Sequence, residues 1–164
     1  MVDKTQGKIG VIMFMGPPGS GKGTQARLVQ QSFGFERIET GAILRAMRNE
    51  NTPIAKMVTE MIDAGNLAPP PLAAQLVIEN AKKILSQGNG VVFDGSPRTL
   101  FEVEELLREL NKDYAGKLLT IALRIPINNA RERLLIRLVC KQCNTPATNN
   151  QTKCSNCGGE LVKR

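Results

Sequence analysis

A chain of 164 residues that is 41% hydrophobic and 23% charged is long enough to bury the core of one compact domain with a small appendage. No apolar run approaches the ~20 residues of a membrane helix, and the opening MVDKTQGK lacks the apolar centre and cleavage site of a secretory signal, so neither a span nor a leader is expected. The formal charge of +7 gathers late, with seven Lys/Arg against two Glu in residues 131–164, which suits a phosphate-bearing partner, nucleotide or nucleic acid alike.

The first element is a run from Ile9 to Met15 that suits a strand buried on both faces of a parallel sheet. GPPGSG breaks it, and KGTQARLVQQSFG reads as a helix ending near Gly34. RIETG is a short strand or turn leading into a helix from Gly41 to about Arg48. A helix follows with Thr52 as N-cap, Pro53 at its first position and Gly65 past its end. Another runs from the PPP stretch to Gly88. GVVFDG is a second buried strand, RTLFEVEELLRELN a helix and KLLTIALRIPI a third strand. NNARERLLIRLVC reads as a helix running straight into a cysteine knuckle, with Arg133 and Arg137 on one face beside Ile127, Ala130, Leu134 and Leu138. Alternating strands and helices predict an α/β fold, a parallel sheet flanked by helices.

Residues Gly16 to Gly23, GPPGSGKG, place Gly-Lys behind a glycine-rich loop, after a strand and before a helix. That context fits a phosphate loop. Gly16, Gly19 and Gly21 let backbone N–H groups turn inward at a helix N-terminus, and Lys22 reaches the β- and γ-phosphates. Gly23 stands where a phosphate loop usually has Ser or Thr, and Thr24 comes one position late. Mg2+ then needs water-mediated contacts or another carboxylate. The chain has no histidine, which a phosphoryl transfer run by charge neutralisation and positioning tolerates. Asp94 ends a strand at the carboxyl edge, where sites form in α/β sheets and where it can hold a metal-bound water. Arg98 carries a donor fork suited to phosphate.

All four cysteines fall in Cys140-x2-Cys143-x10-Cys154-x2-Cys157. This spacing predicts a closed, structural four-thiolate Zn2+ site with a hairpin tip at residues 144–153. Reduced thiols grouped for a metal fit a cytoplasmic protein. Such ribbons also bind nucleic acid, but this one lacks aromatic residues to stack on bases, so nucleic acid is not expected.

GPPGSGKGTQ, TGAILR (Thr40–Arg45), DAGNL, DGSPRT (Asp94–Thr99), RLLIRLVC and the CSNCGGEL tail together resemble the adenylate kinase family, in its zinc-lid branch, over nearly the whole chain. The resemblance implies a P-loop fold and a nucleoside monophosphate kinase, with reversible Mg2+-dependent transfer of the ATP γ-phosphoryl to AMP giving two ADP. It implies ATP contacts at Gly19, Ser20, Gly21, Lys22, Gly23, Thr24, Arg133 and Arg137. It implies AMP contacts at Thr40, Arg45, Asn66, Leu67, Ala68, Gly95, Ser96, Pro97, Arg98, Glu102 and Arg164. Lys22, Asp94, Arg98, Arg133 and Arg137 would carry the transfer. The implied division is core to residue 39, acceptor segment 40–70, core 71–139 and a zinc lid 140–161, hinged near Cys140 and Arg164. A monomer is expected.

The chain departs from the family form at Ala42 (Asp), Ser96 (Phe) and Glu102 (Gln). An ionised Glu only accepts hydrogen bonds, which leaves the acceptor base open between adenine and a base with two donors such as guanine. The knuckles are separated by a short spacer. The family form continues past Arg164 with an arginine-bearing helix, another strand and a loop on the donor adenine. The resemblance therefore implies a form truncated after the lid. An ATP-binding homologue with impaired catalysis and a ribbon-bearing NTPase that binds nucleic acid stand as alternatives.

Overall fold

The computed structural model describes residues 10–114, 116–143, 145–147 and 151–163. They divide into two units, one of the residues up to Met15 with Gly21–Leu123, the other of Gly16–Ser20 with the chain from Arg124 onward.

The first unit is built on a four-stranded parallel sheet, order β2-β3-β1-β4. Its strands are β1 (Val11–Met15), β2 (Glu36–Glu39), β3 (Val91–Asp94) and β4 (Leu118–Ala122). The two central strands are the continuous apolar runs of the sequence, and Val11, Val91, Val92 and Phe93 have no exposed surface. This is what burial on both faces requires. On one face, Val11, Met13, Ile38, Val91 and Phe93 pack with Val77, Ala81 and Leu85 of α4 (Pro70–Ser86) and Leu106 and Leu110 of α5 (Leu100–Tyr114). On the other, Ile12, Phe14 and Val92 meet Ala26 of α1 (Lys22–Phe33).

A satellite cluster of Leu44, Met47, Ala55, Val58 and Ala68 holds α2 (Thr40–Ala46) and α3 (Pro53–Asp63) together. Thr52 caps α3 as its sequence predicts, its Oγ1 accepting from the Ala55 N–H at 3.1 Å. No described helix is long and apolar enough to cross a membrane.

The second unit holds α6 (Ile127–Leu135) and an antiparallel pair, β5 (Leu138–Cys140) with β6 (Leu161–Lys163). Here one expectation is overturned. The helix does not run into the knuckle but ends at Leu135, and Arg137 lies beyond it. Leu138, Val139 and Cys140 pair instead with Lys163, Val162 and Leu161. Non-local ladder bonds outcompete continued helix at these three residues, all of them apolar and Val139 β-branched, which suits a strand. Arg133 and Arg137 thus do not share a helical face, and Ile127 is 69% exposed rather than part of a buried stripe.

Candidate functional site

In the first unit, β1 and β3 both end at the carboxyl edge of the sheet, and α1 starts close to the end of β3. Lys22 opens α1, whose first turn presents backbone N–H groups at a helix N-terminus. Gly23 faces the end of β3 so closely that a Cβ there would lie 2.9 Å from Asp94 Oδ2 and 3.2 Å from Oδ1. This is a physical reason for the Gly-Lys-Gly order: a Ser or Thr at position 23 would collide with the carboxylate. Thr24, one place on, is exposed.

The Asp94 side chain is only 17% exposed, and Arg37 Nη1 donates to its Oδ2 at 2.8 Å. The same guanidinium reaches Glu39 at 3.2 Å, and Glu39 in turn accepts from Arg45 Nη2 at 2.7 Å. The sequence reading singled out Asp94 and Arg45 but missed Arg37 and Glu39. Their signal is the alternation in ERIE, which puts both on one side of β2 while Ile38 enters the core.

Thr40 starts α2. It is 2% exposed, and its Oγ1 has no hydrogen-bond partner among the described residues. An orphaned buried hydroxyl costs stability unless something meets it, so this atom fits a polar ligand. Asn66 and Leu67 lie exposed after α3, whereas Ala68 is buried in the satellite cluster.

The DGSPRT loop is held from below. Glu102 is 3% exposed and Ser96 1%. Glu102 Oε2 accepts from Ser96 Oγ at 2.9 Å and from the Arg98 N–H at 2.9 Å, while Oε1 lies 3.4 Å from Thr99 Oγ1. Its own N–H donates to Thr99 Oγ1 at 3.2 Å. Thr99 therefore caps the start of α5 through its hydroxyl, and Glu102, three residues on, reaches back to the Arg98 N–H and the Thr99 hydroxyl. Both carboxylate oxygens are engaged, and two of the departures from the family form are bonded to each other. The Ser96–Pro97 peptide is cis, and Pro97 is buried. Arg98 is exposed, with Nε donating to Gly95 O at 2.5 Å, which leaves its outer nitrogens for a ligand.

In the second unit, Gly19 has φ +81°, and a Cβ there would sit 2.8 Å from the Ala130 carbonyl oxygen. Only glycine lets the loop lie on α6. Arg133 Nη1 lies 3.5 Å from Gly19 O, and the buried Ser20 hydroxyl has no partner among the described residues. Arg137 follows the helix end, half-buried. Arg164 lies outside the described residues, as does part of the expected hairpin tip, residues 144 and 148–150.

The four cysteine sulfurs lie within 4.8 Å of one another. The pairs Cys140–Cys157 and Cys143–Cys157 are at 3.4 Å and Cys143–Cys154 at 3.5 Å. A tetrahedral ion with bonds of about 2.3 Å needs edges of about 3.8 Å, so the tetrad could close on a metal with small shifts. The Thr145 hydroxyl, then its backbone N–H, holds the Cys143 thiol down to about 5. The Gly159 N–H favours the Cys157 thiolate, but the adjacent Cys143 and Cys140 sulfurs outweigh it and push that thiol up to about 12. Crowded thiolates repel, and a central dication removes the conflict.

Residues 14–155 match the family model of adenylate kinase. An adenylate kinase of Archaeoglobus fulgidus is 36% identical over 167 aligned positions, covering 93% of this chain and 73% of the relative. That of Elusimicrobium minutum is 36% identical, covering 90% and 70%, and that of Zymomonas mobilis 35% identical, covering 93% and 71%.

Proposed function

Because the chain belongs to the adenylate kinase family, a family of nucleoside monophosphate kinases, we propose that it transfers the γ-phosphoryl of ATP to AMP, reversibly, giving two ADP. The observation that carries this reading is the Asp94 carboxylate lying against Gly23, immediately after Lys22. A cation, a helix N-terminus and a mostly covered carboxylate there can receive a polyphosphate with its metal.

By family likeness Gly19, Ser20, Gly21, Lys22, Gly23 and Thr24 belong to the donor-phosphate set, as do Arg133 and Arg137. Mg2+, bound with ATP, supplies neutralisation of the phosphate oxygens, and Asp94 is the residue to hold it through water. Thr40, with its unmatched hydroxyl, meets the acceptor, Arg45 and Arg98 its phosphate, and the chain at Asn66–Ala68 and Gly95–Pro97 borders it. Arg164 belongs to the same acceptor set by family likeness. Glu102 serves it through the loop above. The case for a two-donor base needed a free carboxylate at residue 102. With both oxygens engaged, AMP is the acceptor we propose. Zn2+ is the proposed ion of the cysteine tetrad, by its four-thiolate donor set. A monomer in the cytoplasm goes with this reading.

The test is a coupled phosphotransfer assay with Mg2+, ATP and each of AMP, GMP, CMP and UMP. We expect turnover with AMP first and a loss of at least about 100-fold in kcat for Lys22→Ala, the size expected for removing one charged stabiliser of a transferring group. ATP binding without turnover on any acceptor would replace the kinase with a binding protein.

A further inference from the structure

Strands β2 and β3 are in register with Glu39 directly opposite Asp94. Neighbouring strands lie about 4.8 Å apart, and like charges directly opposite each other destabilise a sheet. Both carboxylates sit at the carboxyl edge and are mostly covered, at 22% and 17% side-chain exposure. Arg37, also on β2, resolves the conflict. Its planar fork places Nη1 on Asp94 at 2.8 Å and Nη2 on Glu39 at 3.2 Å. Glu39 turns its other oxygen to Arg45 at 2.7 Å. Arg45 is folded back so far that its Nη1 would lie 2.9 Å from a Cβ on Gly41. The four charges alternate in one line: Asp94, Arg37, Glu39, Arg45.

We propose that Arg37 and Glu39 form a counter-charge relay that sets how readily Arg45 is released to the acceptor phosphate, with Arg37 as its positioning residue. The proposal rests on the reading of Arg45 as a phosphate contact. An incoming phosphate must compete with Glu39 for Arg45. While Arg37 satisfies Glu39, that competition is easy. Without Arg37, Glu39 has Arg45 as its one counter-ion among the described residues, and an uncompensated carboxylate pair faces the incoming anion. Removing Glu39 ends the competition altogether, whether or not Arg37 is present. The two residues therefore act in opposite directions, and Arg37 acts through Glu39. A purely structural network has no such sign pattern: loss of either member would weaken binding.

The experiment is calorimetric titration of the whole chain with whichever of AMP, GMP, CMP and UMP it binds best, and with the matching nucleoside, without metal or ATP. We expect Arg37→Gln to weaken monophosphate binding about fivefold, the scale of one partly exposed ion pair. Glu39→Gln should tighten it by a similar factor. The double variant should bind at least as well as the parent, and nucleoside affinity should stay unchanged throughout. Arg37→Lys keeps the charge without the fork and should fall between parent and Arg37→Gln, which gives a reading even if the latter folds poorly. Weaker binding in Glu39→Gln, or an Arg37→Gln defect that persists undiminished in the double variant, would overturn the relay. A parent that binds none of the four monophosphates would instead remove the proposed function.

Discussion

Glu102 carries three hydrogen bonds from a nearly closed site, and its carboxylate joins the start of α5 to the loop that bears Arg98. Truncation to Ala would strand the Ser96 hydroxyl and the Arg98 N–H, at about 1–3 kcal/mol for each group left unpaired. Glu102→Ala is therefore expected to lower the melting temperature by several degrees, and Glu102→Gln, which keeps one accepting oxygen, by clearly less. The preference for AMP over GMP should stay the same in Glu102→Gln. A large change in that ratio would return residue 102 to the base-reading role. The Thr-x-x-Glu spacing at Thr99 and Glu102 is a helix-start signal that went unread in the sequence, where the family position pointed elsewhere. Which role applies depends on where the side chain goes, and that is decided by Ser96, six residues back. Arg37 and Glu39 were hidden for a related reason. Their meaning comes from a β2–β3 register that local patterns do not specify.

At the scale of elements, α4 and α5 are joined across their exposed sides by Glu109. Its carboxylate meets Lys82 at 2.5 Å, Lys112 at 2.9 Å and Arg108 at 3.0 Å. Lys82 first and Lys112 next hold Glu109 down to about 2, from an ordinary 4.5. A carboxylate depressed on folding stabilises the folded state above its unfolded value, and the benefit is lost as pH falls from about 4.5 to about 2. Acid unfolding of Glu109→Gln should accordingly be shallower over that window, by a small margin that shrinks further in high salt. Helix existence was the most legible feature of the sequence, because caps, prolines and glycines bracket α3 and α4. The end of α6 was not. Its apolar period continues past Leu135, and only the distant partner Leu161–Lys163 shows why the chain leaves the helix there.

At the scale of the molecule, the two units hold their shape by different means. The first is closed by three apolar clusters. Among its described residues the second has few buried apolar side chains, Ala130 and Val139 with Cys140 and Cys154 among them, and its cysteine tetrad would supply the rest through a metal. Chelation with EDTA is expected to abolish hydrogen-exchange protection in β5 and β6 while β1 and β3 stay protected. Unchanged protection in both would show that the tetrad is not a metal staple. The four-cysteine spacing announced this site from sequence, because each ligand pair is local and only one contact between pairs is needed.

The position of β1 also governs how the chain is made. Val11 pairs with Val91 on one side and Leu118 on the other, so none of the 79 residues that follow it supplies β1 with its neighbours in the described sheet. At about 5–20 residues per second, roughly 5–20 s pass before β4 emerges to complete its surroundings. β3 emerges after about 4–16 s, and until then VIMFM is an unpaired apolar strand on a growing chain. The first unit is thus a late-closing structure, and its exposure to aggregation is greatest on the ribosome.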